Sequence, residues 1–81
     1  MKIQIKLFAA AREISERGEL ELEVAEGLLV KDMKLKISAE HPKLSELILR
    51  SAVSLNREFA TDESVVHEKD EIALIPPVSG G

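Results

Sequence analysis

The residues with the most distinctive chemical possibilities stand at the end of the printed sequence, where two glycines follow a proline pair. The segment that we single out as reactive and partner-binding comprises Ile75, Pro76, Pro77, Val78, Ser79, Gly80 and Gly81. Because glycine has no side chain, Gly80 and Gly81 form the slimmest possible backbone and can adopt dihedral angles closed to other residues. Four residues in extended form reach about 13 Å. Such a segment could enter a narrow channel in another protein and present the Gly81 carboxyl group there.

The carboxyl group of Gly81 is the candidate reactive group. A carboxylate is a poor electrophile because its charge is delocalised and its oxygens leave badly, and coupling it to AMP supplies a good leaving group. A sulfur nucleophile can then displace AMP and leave a thiocarboxylate. The sulfur of that group is a stronger nucleophile than a carboxylate oxygen. A protein without cysteine could therefore still deliver sulfur.

The other side chains form none of the usual catalytic patterns. His41 and His67 are the only histidines, and without cysteine they give no plausible zinc set, so we predict no metal site. Both histidines are expected on the solvated surface, one beside a proline at a helix end and the other in a polar turn. No serine stands in a nucleophile elbow, and the four glycines form no phosphate-binding loop. We therefore expect no catalysis by an internal side chain.

Composition predicts one small globular domain. Hydrophobic residues make up 44% and charged residues 32% of the 81 positions, which fits a folded domain. Fifteen acidic against eleven basic residues give a net charge of −4, which argues against a nucleic-acid partner and is compatible with a basic protein partner. The absence of cysteine predicts a reducing, cytoplasmic location. No apolar run approaches the roughly 20 residues of a membrane span, so no membrane partner is expected.

The hydrophobic pattern predicts the elements that hold the terminal segment in place. Strands are predicted over residues 3–7, 20–24, 53–55 and 71–75 and around Phe59, and helices over residues 8–14, 29–40 and about 44–48. The last strand has Ile72 and Leu74 on one face and Ala73 and Ile75 on the other. A strand that is apolar on both faces is usually central in its sheet. The proline pair ends it, because proline cannot donate to a β-ladder.

This order of elements predicts an α+β fold of the β-grasp, ubiquitin-like type. A hairpin, a crossover helix and strands that return to the same sheet give a mixed sheet with one main helix packed across it. We assign residues 1–77 to this domain and residues 78–81 to a flexible C-terminal Gly-Gly tail. The residues expected to pack between helix and sheet are Ile5, Leu7, Val24, Val30, Met33, Ile37 and Leu74.

Several segments of the chain resemble one known family. They are residues 8–13 (FAAARE), 53–56 (VSLN), 69–73 (KDEIA) and, most specifically, 76–81 (PPVSGG). Together they resemble the small subunit of molybdopterin synthase, also called the molybdopterin-converting factor small subunit, a ubiquitin-like sulfur carrier. The resemblance runs over the whole length.

The resemblance implies a function and a set of partners. An ATP-dependent activating enzyme would adenylate Gly81, which a sulfur donor would then convert to a thiocarboxylate. The tail would enter the active site of the large synthase subunit and give sulfur, in two rounds, to cyclic pyranopterin monophosphate to make the molybdopterin dithiolene. Two large and two small subunits would form a heterotetramer, with the catalytic side chains on the large subunit. No cofactor would be bound permanently, since ATP is used by the activating enzyme.

Three other functions remain open from the sequence. The chain could be a ubiquitin-like protein modifier whose Gly81 forms an isopeptide bond with a lysine, a thiamine-pathway sulfur carrier, or an interaction domain with an inert tail. Two residues also depart from the family pattern. Leu29 stands where Ser or Thr usually caps the main helix, and Lys34 stands where leucine is usual. These departures concern how that helix packs and leave the chemistry of the tail unaffected.

Overall fold

A computed structural model describes residues 1–77, and the predicted tail, residues 78–81, lies outside the described residues. In the described part, five strands form one sheet beside three helices. The strands are β1 (Lys2–Leu7), β2 (Glu19–Glu23), β3 (Ala52–Leu55), β4 (Glu58–Phe59) and β5 (Ile72–Ile75). The helices are α1 (Ala9–Ser15), α2 (Val30–Glu40) and α3 (Ser45–Leu49), with a 3₁₀ turn at Pro42–Leu44. The predicted elements are present, with boundaries that differ by one to a few residues.

The sheet is mixed, and its last strand in sequence is its middle strand in space. The strand order is β2-β1-β5-β3-β4. Strand β5 pairs in parallel with β1 and antiparallel with β3, so that Leu74 lies opposite Leu7 on one side and Val53 on the other. The central position predicted for the strand that is apolar on both faces is confirmed, and so is the β-grasp architecture.

The hydrophobic core lies between the sheet and the helices. Alternate residues of β1, β2 and β5 face it, as the period of two in the sequence requires. All seven residues predicted to form the core are buried: Ile5, Leu7, Val24, Val30, Met33, Ile37 and Leu74. The core also includes residues that were not predicted, among them Ala11, Leu44, Ile48 and Val66, none of them more than 1% exposed.

The first turn of α2 is capped by backbone groups of a distant loop. Leu29, at the N-cap position, makes no side-chain capping hydrogen bond. Instead the Val30 N–H donates to the Ser64 carbonyl oxygen at 2.9 Å, and the Lys31 N–H donates to the Asp62 carbonyl oxygen at 3.1 Å. The loop is held there by an antiparallel bridge between Leu29 and Val65. Both are N–H groups of the first turn that have no partner within the helix, and the Lys31 N–H is one that a Ser or Thr cap could otherwise serve.

Truncating the central strand should destabilise the domain strongly. Leu74 is fully buried, so Leu74→Ala should lower the free energy of unfolding by about 2–5 kcal/mol, because a cavity is left in the core. Leu49→Ala provides a matched control, since Leu49 is 64% exposed and its truncation should change stability by less than about 0.5 kcal/mol. Urea denaturation of both variants checks this. Equal midpoints would show that β5 does not face the core as described.

Candidate functional site

The functional segment begins where β5 ends, at the middle of the sheet. Ile75 is the last residue of β5 and pairs with Ala52, the first residue of β3. On the other side, Leu7 closes β1 opposite Leu74. Of the predicted site residues, Ile75 and Pro76 are half-buried and Pro77 is exposed. We call Ile75, Pro76 and Pro77 the tail root; Val78, Ser79, Gly80 and Gly81 lie outside the described residues.

The composition of the tail root makes it stiff. Neither proline has an N–H, so the β-ladder cannot continue past Ile75. The ring of each proline fixes its own φ angle, and a residue that precedes proline is restricted to extended conformations, which applies to both Ile75 and Pro76. The chain therefore leaves the central strand in a restricted direction.

Exposed and half-buried apolar residues lie at and beside the tail root, on the face of the sheet that the helices do not cover. We call this surface the open-face patch; it comprises Phe8, Ala52, Phe59, Ala73 and Ile75. Cross-strand register brings three strands together here, since Ser54 of β3 pairs with both Ala73 of β5 and Phe59 of β4. Phe59 is 76% exposed and Phe8 is 48% exposed. The chain has no other aromatic residue, so both of its aromatic side chains are exposed near the start of the tail.

Such a surface indicates an interaction site. Large apolar side chains that cluster on an exposed face mark places where proteins bind one another, whereas single exposed apolar residues are ordinary. Aromatic residues are also enriched in protein interfaces. Sequence reasoning did not assign Phe8 and Phe59 to the site. For Phe8, the alternation of β1 indicates that the side chain faces away from the core. For Phe59, the position near β5 follows only from the register between strands, which the sequence does not reveal.

Charged residues lie beside the patch and at the opposite end of β5: Lys6 pairs with Ala73, whereas Glu71 precedes β5 and Arg57 follows β3. Glu71, just before β5, forms a salt bridge with Lys6 at 3.9 Å. Its carboxylate also accepts a charged hydrogen bond from Arg57 Nε at 3.4 Å. All three side chains are substantially exposed. Ion pairs of this kind contribute about 0–1 kcal/mol to stability. These residues give the open face a charged margin that begins directly beside Ala73.

A hydrogen-bonded cluster, which we call the Asn56–Asp70 clasp, fixes the start of β5. The Asn56 side-chain amide donates to Asp70 Oδ1 at 2.9 Å, and the Glu71 N–H donates to Asn56 Oδ1 at 2.9 Å. The His67 N–H donates to Asp70 Oδ2 at 2.8 Å. The clasp joins the turn between β3 and β4 to the residues that lead into the central strand. It therefore sets the register of the strand that ends at the tail root.

The clasp also perturbs the ionisation of Asp70. Partial burial raises the pKa of the Asp70 carboxyl group, but the hydrogen bonds from the His67 backbone N–H and the Asn56 amide outweigh it. The resulting pKa lies below the usual value, because these donors favour the charged form. A lowered folded-state pKa stabilises the fold above the unfolded-state pKa of about 3.9, and this contribution is lost as the pH falls through the folded-state pKa.

Asp70→Asn should therefore reduce stability in a pH-dependent way. At pH 7 we expect a loss of about 1–3 kcal/mol, because a charged acceptor of two hydrogen bonds is replaced by a neutral amide. The difference from wild type should shrink between pH 7 and pH 3, because the wild-type carboxyl group is protonated in the unfolded state below a pH of about 3.9 and in the folded state only at lower pH. Denaturant unfolding of both proteins at the two pH values measures this difference in the free energy of unfolding. The contributions of the other carboxylates are the same in both proteins and cancel in the comparison. A difference that stays constant with pH would contradict the role assigned to the charge.

The histidines do not form a catalytic or metal site in the described part of the chain. The His67 side chain is 73% exposed and lies 3.6 Å from Asp70 Oδ2, and His41 is half-buried at the end of α2. Within residues 1–77, no three histidine or acidic residues are grouped so that they could bind a metal ion. In the same range no helix has both the length and the apolar character to span a bilayer.

Comparison with solved structures defines the class of protein. The fold matches SAMP1 from Haloferax volcanii with a TM-score of 0.85, at 29% identity over all of both chains. It also matches a ubiquitin from Caldiarchaeum subterraneum with a TM-score of 0.67, at 24% identity over all of this chain and 98% of the other. The chain is thus a ubiquitin-like β-grasp protein.

Sequence comparison defines the family. The model of the ThiS family matches residues 5–81, so the chain belongs to the ThiS family. A curated relative from Arabidopsis thaliana, described as a molybdopterin synthase sulfur carrier subunit, is 35% identical over 81 residues, which is all of this chain and 84% of the relative. Both matches extend through the predicted reactive segment, and the structure places the root of that segment at the centre of the sheet.

Proposed function

We propose that this protein is the sulfur-carrier subunit of a molybdopterin synthase and that its reactive group is the Gly81 carboxyl group. Membership of the ThiS family and the similarity to a named sulfur carrier subunit support the proposal. The observation on which it chiefly rests is the position of the tail root. A central strand, held on both edges, leads through two prolines into a glycine pair and is surrounded by an exposed apolar patch.

The proposed chemistry begins with activation of the carboxylate. An oxygen of the Gly81 carboxylate attacks the α-phosphorus of ATP on the activating enzyme, forming a carboxyl–AMP anhydride and releasing pyrophosphate. A sulfur donor then attacks the carbonyl carbon, a C–S bond forms, and AMP leaves with the electrons of the C–O bond. With sulfide as the donor, loss of a proton leaves the thiocarboxylate on Gly81. With a persulfide as the donor, the first product is an acyl disulfide; a thiol of the partner then cleaves its S–S bond, forms a disulfide with the donor and leaves the thiocarboxylate on Gly81. ATP is therefore consumed by a partner and is not a cofactor of this chain.

Sulfur transfer would take place in the active site of the large subunit. The thiocarboxylate sulfur attacks a carbon of cyclic pyranopterin monophosphate and forms a C–S bond, while an oxygen substituent of that carbon leaves with the electrons of its C–O bond. Water then cleaves the bond between that sulfur and the Gly81 carbonyl carbon, which regenerates the carboxylate. A second carrier supplies the second sulfur of the dithiolene. The side chains that move protons in these steps belong to the large subunit, because the carrier contributes only its slim terminal segment.

The open-face patch is the proposed docking surface for the large subunit. Its apolar side chains lie next to the tail root, so that binding there directs the tail toward the partner's active site. Burying Phe8 and Phe59 would supply hydrophobic free energy, since aromatic side chains contribute large contact areas. The net charge of −4 is compatible with a partner whose active site is basic.

A second candidate function is protein modification. The similarity to SAMP1 favours it, because a second crystal structure from Haloferax volcanii that is similar to this chain is described as small archaeal modifier protein 1. In this case a lysine of a target protein would attack the activated Gly81 carbonyl carbon, and AMP would leave as an isopeptide bond forms. The two functions share activation and differ in the nucleophile that follows.

Mass spectrometry after activation tests the proposal and separates the two functions. The purified protein is incubated with an ATP-dependent activating enzyme, ATP and a sulfide or persulfide donor, and its intact mass is measured. We expect the mass change for exchange of one oxygen for sulfur, located on Gly81 by fragmentation. The last tryptic site of the chain follows Lys69, so a modified lysine would carry residues 70–81 after trypsin digestion. An unchanged mass, together with this remnant on lysines of other proteins in cells, would contradict the carrier function and favour the modifier.

A further inference from the structure

One residue of the described chain has a strained backbone that no turn explains. Among residues 1–77, four non-glycine residues have positive φ angles: Ala9, Glu16, Asn56 and Arg57. Asn56 and Arg57 form the two-residue loop between β3 and β4, where such a turn requires both angles to be positive. Glu16 closes α1 in the left-handed conformation that commonly ends a helix. Ala9, with φ of 48°, stands at the beginning of α1, where left-handed backbone is unusual.

Side-chain packing does not explain the strain at Ala9 either. Its side chain is exposed, so no contact in the core holds alanine at this position. In the left-handed region the β-carbon crowds the carbonyl group, so that glycine, asparagine and aspartate are favoured there over alanine. A conformation of this kind persists only when the surrounding structure fixes it, and such residues concentrate at functional sites.

The residues on either side of Ala9 show what the strained conformation achieves. Phe8 is still extended, with φ of −128° and ψ of 160°, and so keeps the alternation of β1. Its carbonyl oxygen accepts hydrogen bonds from the N–H groups of Ala11 at 3.1 Å and Arg12 at 3.4 Å. Ala11 is completely buried, whereas Phe8 is 48% exposed. Ala9 is thus the joint at which the chain turns from strand to helix while Ala11 enters the core.

The same joint keeps Phe8 at the tail root. Leu7, the last residue of β1, pairs with Leu74, and Phe8 continues from it in extended conformation, which carries it toward the level of Ile75. Because Phe8 follows the alternation of the strand, it falls on the open face with Ile75 and Ala73. A different backbone angle at Ala9 would require either Phe8 to leave this face or Ala11 to leave the core.

We propose that Ala9 is a positioning residue, whose left-handed backbone holds Phe8 on the open-face patch beside the tail root before a partner binds. The inference rests on the proposed function in one respect, that the large synthase subunit docks on this patch. Holding an aromatic side chain in its bound position beforehand removes part of the entropy loss on association. Relaxing the joint should therefore weaken docking without weakening the fold.

Substitutions at Ala9 and its neighbour separate these two effects. Ala9→Gly accommodates the positive φ without strain but leaves the joint free to move. Ala9→Asn favours the left-handed conformation and keeps it restricted. Ala10→Gly is the matched control, because Ala10 is also exposed and follows directly in α1. Phe8→Ala removes the positioned side chain and reports the full contribution of Phe8 to docking.

The measurements are the melting temperature, the Kd for the large subunit by calorimetry, and NMR relaxation of the Phe8 side chain in the free protein. For Ala9→Gly we expect an equal or higher melting temperature, a less ordered Phe8, and a Kd raised by about 3- to 10-fold. Ala9→Asn should keep wild-type affinity. Ala10→Gly should lower the melting temperature by about 4 °C and leave the Kd unchanged. Phe8→Ala should weaken binding at least as much as Ala9→Gly.

The possible failures are distinguishable. If Phe8→Ala weakens binding but Ala9→Gly does not, the positioning role is wrong and the docking surface stands. If Ala9→Gly destabilises the protein as much as Ala10→Gly, Ala9 is not strained and the inference is overturned. An equally ordered Phe8 in Ala9→Gly also overturns it, in a measurement that needs no partner. If neither Phe8→Ala nor Ala9→Gly changes the Kd, the proposed docking surface is wrong.

Discussion

Deletion of Gly81 is expected to abolish thiocarboxylate formation while the domain stays folded. The variant ends at Gly80, so its carboxyl carbon stops one residue, or about 3.5 Å, short of the reactive position in the activating enzyme. A displacement of about 1 Å can reduce a rate on the order of 100-fold, so a shift of one residue should leave no measurable product. The intact mass after activation measures the thiocarboxylate product, and circular dichroism measures the melting temperature.

Lengthening the chain gives a control for the effect of deletion. Adding one alanine after Gly81 leaves the glycine pair in place but moves the terminal carboxyl group beyond it, and it should abolish the reaction as well. Both variants should melt within about 2 °C of wild type, because a terminal residue without a side chain contributes little packing. Thiocarboxylate formation at the wild-type rate by the variant that ends at Gly80 would show that Gly81 is not the reactive residue.

Replacement of Gly80 by valine is expected to separate docking from turnover. A β-branched side chain closes the left-handed region to the backbone and thickens the tail one residue before the reacting carbon. The proposed docking surface lies on the open-face patch and is unchanged. We therefore expect the Kd for the large subunit to change by less than about 3-fold, while adenylation or sulfur donation slows by about 100-fold or more.

Gly18→Val is a suitable comparison for this second prediction. Gly18 lies in the turn before β2, and a β-carbon there would meet only the Arg12 side chain, at an ordinary distance of 3.8 Å. The same chemical change at this position should leave both affinity and single-turnover sulfur transfer near wild type. If Gly80→Val also transfers sulfur at the wild-type rate, the glycine pair has no steric role, and the reading of residues 78–81 as an inert terminus gains support.

Much of the fold could be predicted from periodicity because β1, β2 and β5 have simple alternating burial patterns. The alternation of Ile3, Ile5 and Leu7 identified β1 and its buried face, and the run at the end of the domain identified β5 as central. These signals are local, and they depend only on whether a face is covered. They do not tell which residues of two distant strands lie side by side.

The open-face patch and the α2 cap show what local signals omit. Phe59 lies in a two-residue strand that has no periodicity of its own, and only its pairing with Ser54 places it near β5. Similarly, Leu29 looks like a missing cap in the sequence, whereas the structure supplies carbonyl groups from Asp62 and Ser64, more than 30 residues away. Lys34 is half-buried, and the apolar stripe of α2 still packs fully into the core.

The central claim, that Gly81 delivers sulfur for the dithiolene, is tested most directly by following an isotopically labelled sulfur atom. The protein is first converted to the thiocarboxylate with a heavy sulfur isotope, freed of the activating enzyme, and mixed with the large subunit and cyclic pyranopterin monophosphate. We predict that the label moves into the molybdopterin product, that two thiocarboxylates are consumed per product molecule, and that the carrier returns to its unmodified mass. Label that remains on Gly81, or product formed without it, would contradict the account.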